Sequence, residues 1–383
     1  MGQIIKLETY SISITLILDN ITESIGYAGF YKFIRQESYA NVSVPKVGVS
    51  IPLGELQFRL NPKSSVIDYI NQGNKLKVKI TYYNNKTSQS ISHNYLVTNF
   101  DYHYNYPNFV VTLYLMEDLK DFITNIQQRA FKDISFIDMI RQITSIPLDI
   151  DKSLLTTDDT QTWLQPNITD YQFITDSIKH SNVKDDLILS AIVNSKLRLK
   201  TINAINKTPT IERHYISTLS TTPKEKYKST KTIPTLSVES SMGAWQYNLS
   251  IPYVPTLEIL QDKTQDKIAS TPQSKYQSIW DFNRIPSCKL DCGNTHKNYW
   301  NSQLNNEKTL SNLYRYIVRV EIPNYPIIDI NLLDTIDLEV GTDSDTKSTT
   351  LSGTYAVVGL ARYTSHTDNV TQISLAKGVK TNG

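Results

Sequence analysis

The sequence predicts an α+β, β-dominated protein made of two related β-barrel modules with an inserted helical and αβ region. Three observations predict it. First, residues 75–115 lie over residues 335–375 without a gap. Lys75-Leu76-Lys77-Val78-Lys79-Ile80 falls on Thr335-Ile336-Asp337-Leu338-Glu339-Val340, and both alternate apolar and polar residues as half-buried strands do. At the same offset Tyr95 falls on Tyr355, Val97 on Val357, Leu113 on Ile373 and Leu115 on Leu375. Ser88, Ser92 and Val110 are also identical to their partners, so the match rests on pattern and loop length more than on identity. Second, between the copies the apolar period switches from two to that of a helix. Third, 24 of the chain's aromatic residues are Tyr while Gly is only 13, a bias toward strands and contact surfaces.

Taken in order, residues 1–118 read as the first barrel module. Ile12, Ile14, Leu16 and Leu18 alternate with Ser11, Ser13, Thr15 and Ile17 in its first strand. Strands over 29–34 and 53–60 follow, then a helical turn over 66–70 opened by Pro62, then the first repeat copy. Residues 119–182 read as a helical insert. Leu119, Phe122, Ile123 and Ile126 fit one helix face; Ser135 and Asp138 cap a second helix with the face Phe136, Ile140 and Ile143, ended by Pro147. Thr169-x-x-Gln172 is a capping box, flanked by Ile168 and Phe173 in staple positions, and Tyr171, Ile174 and Ile178 form the stripe to be buried.

Residues 183–250 carry strands that complete or flank the second module, including a hairpin of 187–189 with 197–200 across Asn194-Ser195. The Ser/Thr/Lys/Pro-rich stretch 217–231 reads as a loop. Residues 251–312 are a polar, loop-rich insertion, and 313–383 hold the second barrel module with Tyr316, Val318, Val320, Ile322 and the second repeat copy. Copy two is thus interrupted, with its early strands ahead of residue 250.

Charge is nearly balanced, 39 basic against 37 acidic residues, which argues against a dedicated nucleic-acid binder. The first 18 residues read as a strand rather than a secretory signal, and no run reaches the ~18 apolar residues of a membrane span, so cytoplasmic synthesis without membrane insertion is expected. Cys288, Cys292 and His296 lack a nearby fourth ligand and read as free thiols in a polar loop with a neighbouring imidazole, not a metal centre. His93 and His103 flank strand residues and fit solvated or hydrogen-bonded roles. Asp158-Asp159 and Asp185-Asp186 fit caps at turns, and Lys224, Lys226, Lys228 and Lys231 a solvated basic run. Phosphate loops, nucleophile elbows and HExxH motifs are missing. The expectation is therefore no enzyme: no catalytic, cofactor-binding or metal residues, no cofactor.

Three stretches carry a resemblance. They are Gly54 to Phe58 with Leu76 to Ile80 and Tyr95 to Phe100; Trp163 to Ile174, an extended segment running into a capped helix; and Thr335 to Val340 with Gly353 to Leu360 and Val370 to Lys377. Together they resemble the baseplate hub proteins of contractile-tailed phages, related to late-control tail proteins and the hub part of the type VI secretion spike. The resemblance covers the chain outside roughly 204–312 and implies a virion structural protein of the tail baseplate, assembled in the host cytoplasm. It implies a homotrimer with pseudo-sixfold symmetry, a symmetry adaptor between the hexameric tail tube and the trimeric central spike, with an axial channel. Tape-measure and wedge proteins are further implied partners, DNA only in transit through a channel that is not strongly basic. The end of the chain soon after the closing β-unit fits a spike on a separate polypeptide. The competing expectations are a monomeric carbohydrate-binding or adhesin-like β-protein using Trp245, Trp280 and Trp300, and a tail-associated peptidoglycan hydrolase.

Overall fold

The structure is a computed structural model that describes residues 4–6, 10–19, 21–38, 48–84, 90–151, 157, 159–183, 186–219, 225–233, 235–240, 256–261, 264–266, 287–291, 306, 316–323, 329–341, 348 and 350–377. The first strand set comprises β1 (Ile4–Lys6), β2 (Tyr10–Leu18), β3 (Ile21–Ile25), β4 (Phe30–Ser38), β5 (Leu53–Leu60), β6 (Leu76–Asn84), β7 (Ser90–Asn105) and β8 (Asn108–Glu117). Period-two patterning decides which side faces inward. Ile12, Ile14 and Leu16 of β2, Leu76, Val78 and Ile80 of β6, and Leu113 and Leu115 of β8 are all buried in one apolar cluster. Between β5 and β6, α1 (Ser65–Asn71) runs two turns rather than one, because Ser64 caps it by accepting from the Val66 N–H.

The inserted region is more β-rich than its sequence period suggests. It holds α2 (Asp121–Thr124), β9 (Ile126–Ile134), α3 (Phe136–Ile143), β10 (Leu148–Ile150), β11 (Gln161–Thr169), α4 (Asp170–Ser177), β12 (Ile188–Val193), β13 (Lys196–Thr201) and α5 (Ile202–Asn206). The helix expected over 119–126 is only the four-residue α2, and the chain then extends as β9, antiparallel to β11. Gln127 to Asp133 offers no apolar helical face, whereas alternate residues Gln127, Arg129 and Phe131 half-bury on the ribbon. The two expected caps are formed: Ser135 accepts from the Asp138 N–H, and Thr169 with Gln172 makes a reciprocal box. Phe173 and Ile174 of α4 and Ile178 just after it lie in the core, while Tyr171 is half-buried. The β12–β13 hairpin turns at Asn194 and Ser195, both at positive φ (51° and 59°), the twist a two-residue hairpin requires.

The second strand set comprises β14 (His214–Ser217), β15 (Ser229–Thr232), β16 (Leu236–Ser240) and, after β17 (Thr256–Gln261), β18 (Thr264–Asp266) and β19 (Ser287–Asp291) of a small separate sheet, β20 (Tyr316–Pro323), β21 (Thr335–Glu339), β22 (Gly353–Ser365) and β23 (Asn369–Ala376). β15 occupies the end of the stretch expected as loop: it pairs parallel with β14. The early strands of this set lie at 214–240, ahead of residue 250.

The two sets have one pairing order. In the first, β4 pairs β5, β5 pairs β8, β8 pairs β7, β7 pairs β6, β6 pairs β2 and β2 pairs β3. In the second, β16, β20, β23, β22, β21, β14 and β15 take those seven places in that order. Register agrees as well. Val97 faces Leu115 and Asn99 faces Tyr114, with a bulge between; Val357 faces Leu375 and Gly359 faces Ser374, with the same bulge. The likeness ends at the far edge, where β2 is antiparallel to β6 and β3 but β14 is parallel to β21 and β15. An antiparallel pair such as β2–β3 needs only a short connection, whereas a parallel pair such as β14–β15 needs a longer one.

Among the described residues no ladder joins β3 to β4 or β15 to β16, so both sets are open sheets rather than closed rings. One reason is that the outer edge of β4 is already taken. Gly359 to Ser365 of β22 pairs antiparallel with Ser38 to Lys32 of β4, which fuses the sets into one 15-stranded sheet. The second set packs on the inserted region in a common apolar cluster, while the first set has its own.

Candidate functional site

The seam between β4 and β22 is where the sequence places charge on faces that should be apolar. On β4 the inward positions run Phe33, Arg35, Glu37; on β8 they run Val111, Leu113, Leu115, Glu117; on β22 they run Leu360, Arg362, Thr364, and all are buried. Arg35 and Arg362 stand directly opposite each other in the ladder. Glu37 separates them, accepting from Arg35 Nε and, at 2.5 Å, from Arg362. The Arg35 guanidinium also donates to the Tyr95 hydroxyl and, at 2.8 Å, to Glu117. Arg362 donates to the Ile330 carbonyl at 2.8 Å. Ser195, at the tip of the β12–β13 hairpin, donates to the other oxygen of Glu117 at 2.6 Å. One network thus ties together both strand sets and the inserted region.

Its charges balance, two guanidinium groups against two carboxylates, which is the condition for burying them. Burial opposes ionisation of Glu117, but Arg35, His93 and Ser195 outweigh it and hold the carboxyl at about 2. Glu37 is likewise held below the usual carboxylate range by Arg362 and Arg35 against its burial. Burial pushes the Tyr95 hydroxyl up to about 12. Burial and Arg35 lower the value of His93, 3.6 Å from Glu117, against the opposing pull of Glu117 and Glu37. A second seam binds the inserted region to the second set: Arg198 bridges Asp149 at 2.7 Å and Asp334 at 2.9 Å.

These groups tie the strands and the hairpin tip together. His93 lies in the ionic network, whereas His103 is exposed on the β7–β8 hairpin. Asp159 accepts from Phe136 and Asn182 N–H groups at 2.9 and 2.8 Å, and Asp186 from those of Leu187 and Asn203, as turn and cap carboxylates do. Asp158, Asp185, Lys224, Trp245, Trp280, Cys292, Trp300 and His296 lie outside the described residues, and Cys288 is placed on β19 by its backbone alone. Among the described residues no group of His, Cys, Asp or Glu is arranged to hold a metal, and no helix is long and apolar enough to cross a membrane. Sequence reasoning did not single out Arg35, Glu37, Glu117 and Arg362. The signal was present as charged residues breaking the inward period of three strands.

The doubled strand set is thus fused by a buried ionic seam. Comparison with solved structures finds the same fold elsewhere. The chain is similar to the tail protein from Neisseria meningitidis MC58, with a TM-score of 0.57 and 9% identity over 96% of each chain. It is similar to the 43 kDa tail protein of prophage MuSo2 from Shewanella oneidensis, with a TM-score of 0.55 and 11% identity over 95% of this chain and 98% of that one. A chain of the Francisella PdpA-VgrG complex also matches, with a TM-score of 0.53 and 10% identity over 97% of this chain but only 53% of that one. The fold is that of phage tail proteins, in agreement with the hub resemblance. No protein-family model matches the sequence, and no curated protein matches it.

Proposed function

We propose that this chain is a structural hub of a phage tail baseplate, acting as a trimer and without enzymatic activity. The observation that carries the reading is the shared pairing order of the two strand sets within one chain. Three chains with two sets each would offer six related surfaces, so the hub would adapt a hexameric tail tube on one side to a trimeric central spike on the other. An axial channel would pass DNA without holding it, which requires a lining that is not strongly basic. The buried seam supports this role, because a rigid angle between sets would decide whether three chains close into a ring.

Mass measurement of the purified chain across a range of concentrations tests the reading. It predicts a species of three times the 43.7 kDa chain mass. A monomer at every concentration, or a hexamer, would contradict it.

A further inference from the structure

His93 on β7 is a buried titratable group at the margin of the ionic seam. Its buried Nδ1 stops 3.6 Å short of Glu117 Oε1, outside hydrogen-bond range. That same oxygen accepts from the Ser195 hydroxyl at 2.6 Å, while the other oxygen of Glu117 accepts from Arg35 at 2.8 Å. The groups facing His93 are Arg35 and Glu37 from β4, Glu117 from β8 and Ser195 from the β12–β13 tip. The Tyr82 ring of β6 and the Tyr95 ring of its own strand stand 6.4 and 6.3 Å away, centroid to centroid. With His93 neutral, Arg35 and Arg362 balance Glu37 and Glu117. A proton on His93 leaves one uncompensated positive charge in a dry site, which protein interiors hold only at high cost.

Water has a short route to that charge. Ser195 touches the fully buried Glu117 and is itself half-buried, and its neighbours Asn194 and Lys196 are exposed. The tip is tied to Glu117 by a neutral hydroxyl, whereas Arg35 and Arg362 hold their carboxylates by ionic bonds between laddered strands. Further down, the hairpin has other anchors. Ser190 donates to the Gly48 carbonyl at 2.5 Å, and Arg198 bridges Asp149 and Asp334 at 2.7 and 2.9 Å.

We propose that the β12–β13 tip is an acid-released latch: protonation of His93 frees Ser195 from Glu117 and lets water into the seam, while Ser190 and Arg198 keep the rest of the hairpin in place. The latch goes beyond the hub reading and stands independently of it. In the closed form, burial and Arg35 lower the value of His93 below its ordinary 6.5, and an open tip restores water to the ring. The open form therefore binds the extra proton. The latch is closed at high pH, and opening is favoured as pH falls below 6.5, by up to about tenfold per pH unit for one proton. Glu117, held at about 2, stays ionised over this range and does not drive the opening. Release uncouples the inserted region from the first strand set at this point while the β4–β22 ladder still joins the two sets.

Hydrogen–deuterium exchange of the full chain, followed by mass spectrometry from about pH 7.5 to about pH 5 and corrected for intrinsic exchange rates, tests the latch. Peptides covering Val193 to Leu197 should lose protection by up to about tenfold per pH unit below the ordinary histidine range, while peptides of β4 and β22 keep theirs. His93→Gln, which cannot take up the proton, should hold the tip closed throughout. Ser195→Ala changes only the tip and keeps the test decisive where His93→Gln does not fold: its tip should exchange about tenfold or more faster already at the upper pH, with little further change on acidification. Tip protection that is unchanged by acid, that falls equally in His93→Gln, or that disappears together with protection of β4 and β22 would overturn the latch.

Discussion

The two hairpins β7–β8 and β22–β23 share register, length of ladder around the bulge and buried anchors, yet they differ in what lies beside their outer halves. Beside β22 there is a strand of the same chain, and the facing positions are ionic: Arg362, Arg35 and Glu37, all buried. Beside β7 there is no described strand, and the corresponding residues are aromatic and exposed. Tyr95 and Tyr355 occupy matching positions of the two sets: both are buried, but the Tyr95 hydroxyl accepts from Arg35 while that of Tyr355 donates to the Leu351 carbonyl at 2.6 Å. The difference teaches how one module is adapted to two uses. A seam that never opens can hold balanced buried charge, which fixes geometry. An exposed ribbon is better made of groups that pack on one another while keeping a polar tip in water, and Tyr meets both conditions.

The comparison breaks most severely if the ionic seam loses a member. Arg35→Met leaves Glu37 and Glu117 short of a buried partner and should cost about 3–5 kcal/mol of unfolding free energy in urea titrations, whereas Tyr102→Lys should change monomer stability by no more than about 0.5 kcal/mol. Acid should act on the same seam. His93 and Glu117 both have lowered values in the fold, so each contributes stability that is present at high pH and lost as pH falls. Loss should start as pH drops below the ordinary histidine value of 6.5 and steepen from 4.5 toward about 2 as Glu117 protonates, about 3 kcal/mol for Glu117 alone. Urea midpoints measured against pH should show both stages, and His93→Gln should remove the first. The smallest expected effect sharpens the comparison by lying outside it: Thr169→Ala removes the α4 cap, costs about 1 kcal/mol, and should leave self-association unchanged.

Much of the fold was legible because its signals are local. The period-two runs at 75–80 and 335–340, the capping box at Thr169 and the Asn194-Ser195 turn are each short stretches whose residues state their own conformation. What was not legible depends on partners distant in the chain. β9 was read into a helical region because its strand character comes from pairing with β11, more than thirty residues on. β15 is short and polar, and only its ladder to β14 makes it a strand. The charges of the seam looked like ordinary surface residues until β4 and β22, over three hundred positions apart, were side by side. The place of Tyr102, Tyr104 and Tyr106 on an exposed ribbon was hidden for the opposite reason: aromatic residues in a strand usually signal core.

The proposed hub is three chains that each supply two like strand sets to one ring. A cryo-electron microscopy reconstruction of the purified assembly tests it most directly. The predicted result is a ring of three chains with six radially similar sheets. A particle with one chain, or a ring without six similar sheets, would contradict it.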